Sequence, residues 1–247
     1  MFYTDIHAHI IPGVDDGPQN IEESIEMLST AYAEGIRRII ATPHFGLKNP
    51  DLKQEEAKLR LNALRKIISC DMPDLKLDYG NEIYWSKGTI ESLNAGLAST
   101  MAGSDYVLIE FNVDEPFEQI EDAIINLNWN GYKPILAHTE RYEELNGRAD
   151  RIRQLKERGM MVQVNCRSLM EEVKAKKGFK SLFARKNGRC EWGEQLLREN
   201  LIDFIASDCH NNEIRCPVYK DAAQHIISVC GEKEALRILN KSATVIA

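Results

Sequence analysis

The sequence predicts an α/β protein in which parallel strands alternate with helices and roll into an irregular, TIM-like barrel. Three observations lead there. Apolar runs of strand length alternate with stretches of helical periodicity about seven times, the pattern of βα units with both sheet faces covered. The 247 residues suit one large domain, and α/β barrels commonly fill that length alone. Residues 1–247 are therefore expected to form a single domain, with no internal repeat, low-complexity tract or linker. Finally, His, Glu and Asp gather within or at the ends of the predicted strands, which share one rim in a barrel of parallel strands. Seven clear strands, not eight, point to an irregular or incompletely closed barrel.

The elements follow in order. Phe2 to Ile11 reads as a strand, turned by Pro12-Gly13. Asn20 opens a helix with Glu23 three residues on as a capping box, and Gly35 ends it. Arg37 to Phe45 is a second strand, ending at Pro43-His44. Residues 51–69 are a charged helix expected to bury Leu59, Leu64 and Ile67. Leu75 to Trp85 is a third strand with Glu82 inside it, followed by a short helix over 88–98. Tyr106 to Phe111 ends on Glu110, and a helix over 117–130 is closed by Gly131. Lys133 to Thr139 ends on His138, and 149–158 is helical. MMVQVNC, ending near Asn165, is the sixth strand. Residues 171–200 are expected to be helical with a Lys/Arg-rich middle. Leu201 to Ser207 is the seventh strand, followed directly by Asp208-Cys209-His210 and, from about Val218, by two helices.

Composition narrows the function. The chain is 43% hydrophobic and 28% charged, as ordinary globular proteins are. A formal charge of -7 argues against nucleic acid or an anionic membrane as the main partner. No apolar run spans a bilayer, so membrane insertion is not expected. The N-terminus carries no signal-peptide pattern. Cys70, Cys166, Cys190, Cys209, Cys216 and Cys230 form neither a C-x-x-C pair nor a regular framework, and read as reduced thiols of a cytoplasmic protein. Oligomerisation is compatible with all of this.

The chemistry starts in YTDIHAHIIPGVDD. His7 and His9 alternate in a strand, so both imidazoles point to one side, with Asp15 and Asp16 close behind the turn. A lone buried His is most simply a hydrogen-bonded core residue. That account gives no reason for His44, Glu82, Glu110, His138, Asp208 and His210 to recur along the later strands. With Asp16 the set offers nine candidate ligands, whereas one first-row ion takes about four to six donors. Two or three ions with bridging carboxylates are implied. Mixed imidazole and carboxylate favours Mn, Fe or Zn over Ca or Mg. Such clusters polarise phosphoryl groups. Arg141 and Arg215 follow candidate ligands closely, and guanidinium forks match phosphate oxygens.

These motifs resemble a known family. D-I-H-A-H…D-D-G-P, A-T-P-H, Y-G-N-E-I-Y, L-I-E-F, A-H-T-E-R-Y, Q-V-N and I-A-S-D-C-H-N, in this order from Asp5 to about Arg215, resemble the PHP (polymerase and histidinol phosphatase) superfamily. More closely they resemble the bacterial manganese-dependent protein tyrosine phosphatases of capsular and exopolysaccharide loci, the CpsB/YwqE type. The resemblance implies a distorted (β/α)7 barrel with three divalent ions, Mn expected and Fe or Zn compatible. It implies His7, His9, Glu82 and Asp208 on one ion, and Glu82, Glu110 and His138 on a second. Asp16, His44 and His210 would hold the third. Arg141 and Arg215 would hold the phosphate, while Asp5 and Asp15 would support ligands through hydrogen bonds. The implied substrate is phosphotyrosine on the C-terminal tail of an autophosphorylating bacterial tyrosine kinase, hydrolysed by a metal-bridging hydroxide. Ala8 and Cys209 stand where the family often has Ser or Met, and neither is a candidate ligand.

Rival readings remain open at this point. Cys209 to Arg215 is formally C-x5-R, the spacing of cysteine-dependent phosphatases, but it lacks Gly and carries Glu213 where phosphate would sit. A histidinol-phosphatase-like or other small-molecule phosphoesterase shares the same motifs. A non-enzymatic PHP binding module would have no need of so many ligands. The basic segment with Lys174, Lys176, Lys177, Lys180, Arg185, Lys186 and Arg189 can attract an acidic kinase tail, or be a solvated helix face.

Overall fold

A computed structural model of the chain describes residues 2–170 and 187–245. Nine strands are described: β1 (Tyr3–Ala8), β2 (Ile36–Ala41), β3 (His44–Phe45), β4 (Lys76–Tyr79), β5 (Glu82–Tyr84), β6 (Tyr106–Glu110), β7 (Lys133–Leu136), β8 (Met161–Asn165) and β9 (Phe204–Ala206). Between and after them run α1 (Ile21–Ala33), α2 (Gln54–Ile68), α3 (Thr89–Asn94), α4 (Phe117–Trp129), α5 (Ala149–Glu157), α6 (Asn187–Arg198), α7 (Lys220–Cys230) and α8 (Glu232–Val245). The basic stretch expected to form the middle of a helix, Lys174 to Lys186, lies outside the described residues, as does the side chain of Arg189. Among the described residues no helix is long and apolar enough to cross a membrane.

Every strand pairing is parallel, in the orders β1-β2-β4 and β3-β5-β6-β7-β8-β9. The second and third expected strands are each interrupted. Pro43 lacks an amide hydrogen to extend β2, and pairing resumes at His44, which sits opposite Glu82. Gly80-Asn81 separates β4 from β5. There a Cβ on residue 80 would come within 3.2 Å of the Met101 backbone. The interruptions place His44 and Glu82 at the heads of short strands instead of within long ones.

The sheet curls into a half-barrel. A small apolar cluster joins Ile6 of β1, Ile40 of β2, Leu108 of β6, Ile135 of β7 and Phe204 of β9, with Met101. Strands that are not neighbours can share such a cluster only if the sheet bends around it. The larger core lies between sheet and helices. The first and last strands also approach: a parallel bridge joins Ala8 to Cys209, and the Asp208 N–H donates to the His7 carbonyl at 2.9 Å. The buried Tyr219 hydroxyl lies 3.0 Å from the carbonyls of both Thr4 and Ile205, tying the start of α7 to β1 and β9.

Local signals mostly hold. Asn20 caps α1 by accepting from the Glu23 N–H at 2.9 Å. The Glu23 carboxylate reaches back to the Gln19 N–H at 2.8 Å, one residue earlier than a regular capping box. The buried face of α2 differs from expectation. Ala57, Leu61, Leu64 and Ile68 are buried, whereas Leu59 is 68% and Ile67 45% exposed. The i, i+4, i+7 stripe through Ala57 packs inward, and Leu59, about 200° further round the helix, faces out.

Candidate metal centre

The alternation in β1 brings His7 and His9 together, with their Nε2 atoms 3.2 Å apart. Their outer nitrogens are engaged elsewhere. His9 Nδ1 lies 2.7 Å from Asp15 Oδ2, and His7 Nδ1 3.2 Å from Gln163 Oε1. A carboxylate only accepts, so His9 carries a proton on Nδ1 and turns Nε2 inward, towards His7 and Glu82. Asp15 also accepts from the backbone N–H groups of His44 and Gly17. Gly17 is required there, because a Cβ would lie 2.7 Å from the His9 carbonyl oxygen. Asp5 works at a different level. It touches none of the inward-facing nitrogens, and its carboxylate accepts from the Ser207 N–H and hydroxyl and from the His7 N–H.

The other candidates converge from the later strands. Glu82 Oε1 is 3.3 Å from His7 Nε2 and 2.8 Å from His138 Nε2, while Glu82 Oε2 is 3.3 Å from His9 Nε2 and 2.9 Å from His44 Nδ1. Glu110 Oε1 lies 3.0 Å from the same His44 nitrogen. Asp16 Oδ1 is 3.3 Å from His44 Nε2 and 3.2 Å from His210 Nε2. Three sets of ligand atoms are close enough to hold an ion: His9, Asp16, His44 and His210; His7, His9 and Glu82; His44, Glu82 and Glu110. The first set contains the expected Asp16, His44 and His210 together with His9, and the other two group their residues differently from the partition that the family resemblance implies. His44 stands beside Glu110 where His138 was expected, and Asp208 stays outside the set containing His7. Asp208 Oδ1 remains 3.5 Å from His7 Nε2.

The arginines also reach into the cluster. Arg141 donates to Asp208 Oδ2 at 2.7 Å and Arg215 to Asp208 Oδ1 at 2.8 Å, so both guanidinium groups share one carboxylate. Arg215 also lies 3.4 Å from Asp16 Oδ2. Lys48, which the sequence did not single out, contacts Glu110 Oε2. His138 and Asp208 adopt φ values of 35° and 51°. Left-handed backbone costs a non-glycine residue about 1–2 kcal/mol, and here it re-aims two candidate ligands where their strands end.

Electrostatics bind the cluster. Burial disfavours charge on His44, yet Asp16, Glu110 and Glu82 push its imidazole up to about 12. Burial is likewise overcome at His9, where Asp15 and Glu82 raise it to about 9. Burial, together with the neighbouring His9, lowers His210 to about 4. Burial and Glu82 favour neutral Glu110, but His138 and His44 hold it below the usual carboxylate range. His44 Nδ1, Glu82 Oε2, Glu110 Oε1 and His210 Nε2 are buried and make no hydrogen bond of acceptable geometry among the described residues. Buried polar atoms ordinarily have partners. Nitrogen and oxygen donors turned towards one another without hydrogen bonds fit divalent ions.

The C-x5-R reading fails on burial. Cys209 is 1% exposed within the apolar core, and burial, with Asp5 adding to it, pushes its thiol well above the ordinary value. A nucleophilic cysteine needs the opposite shift. Arg215 meanwhile faces carboxylates. Gln163 and Asn165 also join the site, and their i, i+2 spacing, which repeats that of His7 and His9, is the signal for them in the sequence.

Comparison with known proteins agrees with this geometry. The family described as "Capsular polysaccharide synthesis, CpsB/CapC" matches residues 3–247. Tyrosine-protein phosphatase CpsB of Streptococcus pneumoniae is 33% identical over 234 residues, covering 94% of this chain and 92% of the relative. A solved structure of YwqE from Bacillus subtilis and CpsB from Streptococcus pneumoniae, described as unique metal-dependent tyrosine phosphatases, superposes with a TM-score of 0.85 at 28% identity. It covers 98% of this chain and 93% of that one. A histidinol phosphate phosphatase from Lactococcus lactis, with a TM-score of 0.56 and 16% identity over 93% of this chain and 94% of that one, shares the fold alone. A family match over residues 3–247, with a relative 33% identical over 94% of the chain, makes this chain a member of the CpsB/CapC capsular polysaccharide synthesis family.

Proposed function

We propose that this chain is a metal-dependent tyrosine phosphatase acting on phosphotyrosine proteins in capsular polysaccharide synthesis. The observation that carries the reading is the convergence of buried imidazole and carboxylate atoms lacking hydrogen bonds, with two guanidinium groups beside them. Working in the cytoplasm, the chain takes as its preferred substrate the phosphorylated C-terminal tail of a bacterial tyrosine autokinase. Residues 1–247 act as one phosphatase unit on a distorted (β/α)7 barrel, a reading that the Ala8–Cys209 bridge supports.

The ligands are His7, His9, Asp16, His44, Glu82, Glu110, His138, Asp208 and His210, for three ions, Mn first and Fe or Zn as alternatives. Divalent ions held there supply positive charge to the phosphoryl oxygens and make water a better nucleophile. The chain's own residues do the rest. Arg141 and Arg215 bind the phosphate oxygens and neutralise the charge that develops on them. Asp15 and Asp5 hold β1 and its imidazoles in place. The departing tyrosinate, with a phenol pKa of ~10, needs little help from a general acid.

The test is elemental analysis of purified protein, coupled to turnover of a phosphotyrosine peptide and of histidinol phosphate with Mn2+, Fe2+ or Zn2+ added. Metal-dependent turnover that favours the peptide is expected. Preference for histidinol phosphate by orders of magnitude would overturn the substrate assignment. Absence of phosphatase activity with the metals bound would make the chain a binding module.

A further inference from the structure

Beneath the metal centre lies a buried polar relay that the proposed reaction leaves unused. Gln163 and Asn165 alternate with Val162 and Val164 along β8, so both amides point to the same side while the valines enter the core against the helices. Gln163 is fully buried and Asn165 nearly so.

Their orientations follow from groups that have only one role. The His138 backbone nitrogen lies 2.8 Å from Gln163 Oε1. A backbone N–H only donates, so that amide atom is an oxygen. The same oxygen lies 3.2 Å from His7 Nδ1. Nδ1 therefore carries a hydrogen, and Nε2 is the His7 nitrogen left to face His9 and Glu82. The other half of the Gln163 amide donates to Asn165 Oδ1 at 2.9 Å. That leaves Asn165 Nδ2 to donate to Asp208 Oδ2 at 2.8 Å, the only sense a carboxylate accepts. Oδ2 is engaged by Asn165 and Arg141, and Oδ1, which Arg215 also contacts at 2.8 Å, is the Asp208 oxygen that faces the imidazoles, 3.5 Å from His7 Nε2 and 3.6 Å from His210 Nδ1.

We infer that Gln163 is a positioning residue: its buried amide, anchored on the His138 N–H, selects the His7 nitrogen and, through Asn165, the Asp208 oxygen that face the metal centre. The inference rests on the metal-centre reading above. It adds a dependence of metal binding on a residue that touches no ion. It also couples three strands, because His7, His138 and Asp208 follow one amide.

The test compares Gln163→Met, which keeps the volume but makes no hydrogen bond, with Gln163→Glu, which keeps the acceptor and loses donation to Asn165. Each full-length protein is loaded with diamagnetic Zn2+, and its imidazole 15N–1H correlations and its Zn2+ retention against a chelator are measured. The wild type and Gln163→Glu should show His7 protonated on Nδ1. In Gln163→Met that signal should be lost and Zn2+ affinity should drop about 10- to 100-fold, as for other residues that orient a ligand from behind. Asn165→Ala, a second variant should Gln163→Met fail to fold, should weaken Zn2+ binding without moving the His7 signals. Unchanged His7 signals and affinity in folded Gln163→Met, or an Asn165→Ala protein that binds Zn2+ like the wild type, would overturn the inference. A wild-type chain that takes up no Zn2+ would instead overturn the metal-centre reading itself.

Discussion

The Asp15 carboxylate and the His9 imidazole meet at 2.7 Å across the Pro12-Gly13 turn, which makes the loop after β1 part of the metal centre's support. Asp15 also takes the backbone N–H groups of His44 and Gly17. Asp15→Ala is expected to weaken metal binding about 10- to 100-fold, because His9 loses the partner that fixes its ring. Isothermal titration of the metal-free protein measures this. An affinity equal to the wild type would remove Asp15 from that role.

Arg141 and Arg215 share the two oxygens of Asp208. Replacing either with Met should lower kcat/KM on a phosphotyrosine peptide by about 10²–10³, the usual loss when a donor to developing charge is removed. The double variant should fall short of the product of the two effects, since both groups act on one carboxylate and one phosphate. Steady-state kinetics of the three variants decide it, and a full multiplicative loss would show that the arginines act independently.

Chelation and the thiol separate the chemistries cleanly. Exhaustive EDTA treatment followed by dialysis should abolish turnover, and Mn2+ should restore it. Cys209→Ala, which removes a buried thiol raised by desolvation, should leave turnover within the same order of magnitude. Activity that survives EDTA but not Cys209→Ala would reverse the assignment.

Asp203, at the other end of β9 from Asp208, sets an acid limit on stability. Burial favours its neutral form, but Lys156, Lys241 and the Val162 N–H outweigh this and hold it below the ordinary carboxylate value. A depressed folded pKa stabilises the native state fully above the unfolded value of ~3.9, and that stabilisation is lost as pH falls through the folded value. Asp203→Asn should therefore cost about 2 kcal/mol at pH 6 and much less near pH 3. Urea midpoints at the two pH values test this, and an equal cost at both would exclude titration of Asp203 as the cause.

Much of this protein is written locally. The alternation of strand and helix, the cap at Asn20, and the i, i+2 placement of His7 and His9 follow from periodicities within a few residues, because backbone geometry alone decides which neighbours share a face. The residues that converge at the strand ends were recognisable for the same reason. The tertiary structure decided what lies between them. Gln163 reaches His7 across 156 residues of sequence, Arg141 reaches Asp208 across 67, and Asp5 reaches Ser207 across 202. Such contacts depend on strand register and on the curl of the sheet, which no local period encodes. The exposed Leu59 and Ile67 of α2 make the same point on a smaller scale. Residue order alone shows which side chains bring chemistry to the rim. Only the packed sheet decided which nitrogen, which carboxylate oxygen and which arginine face one another.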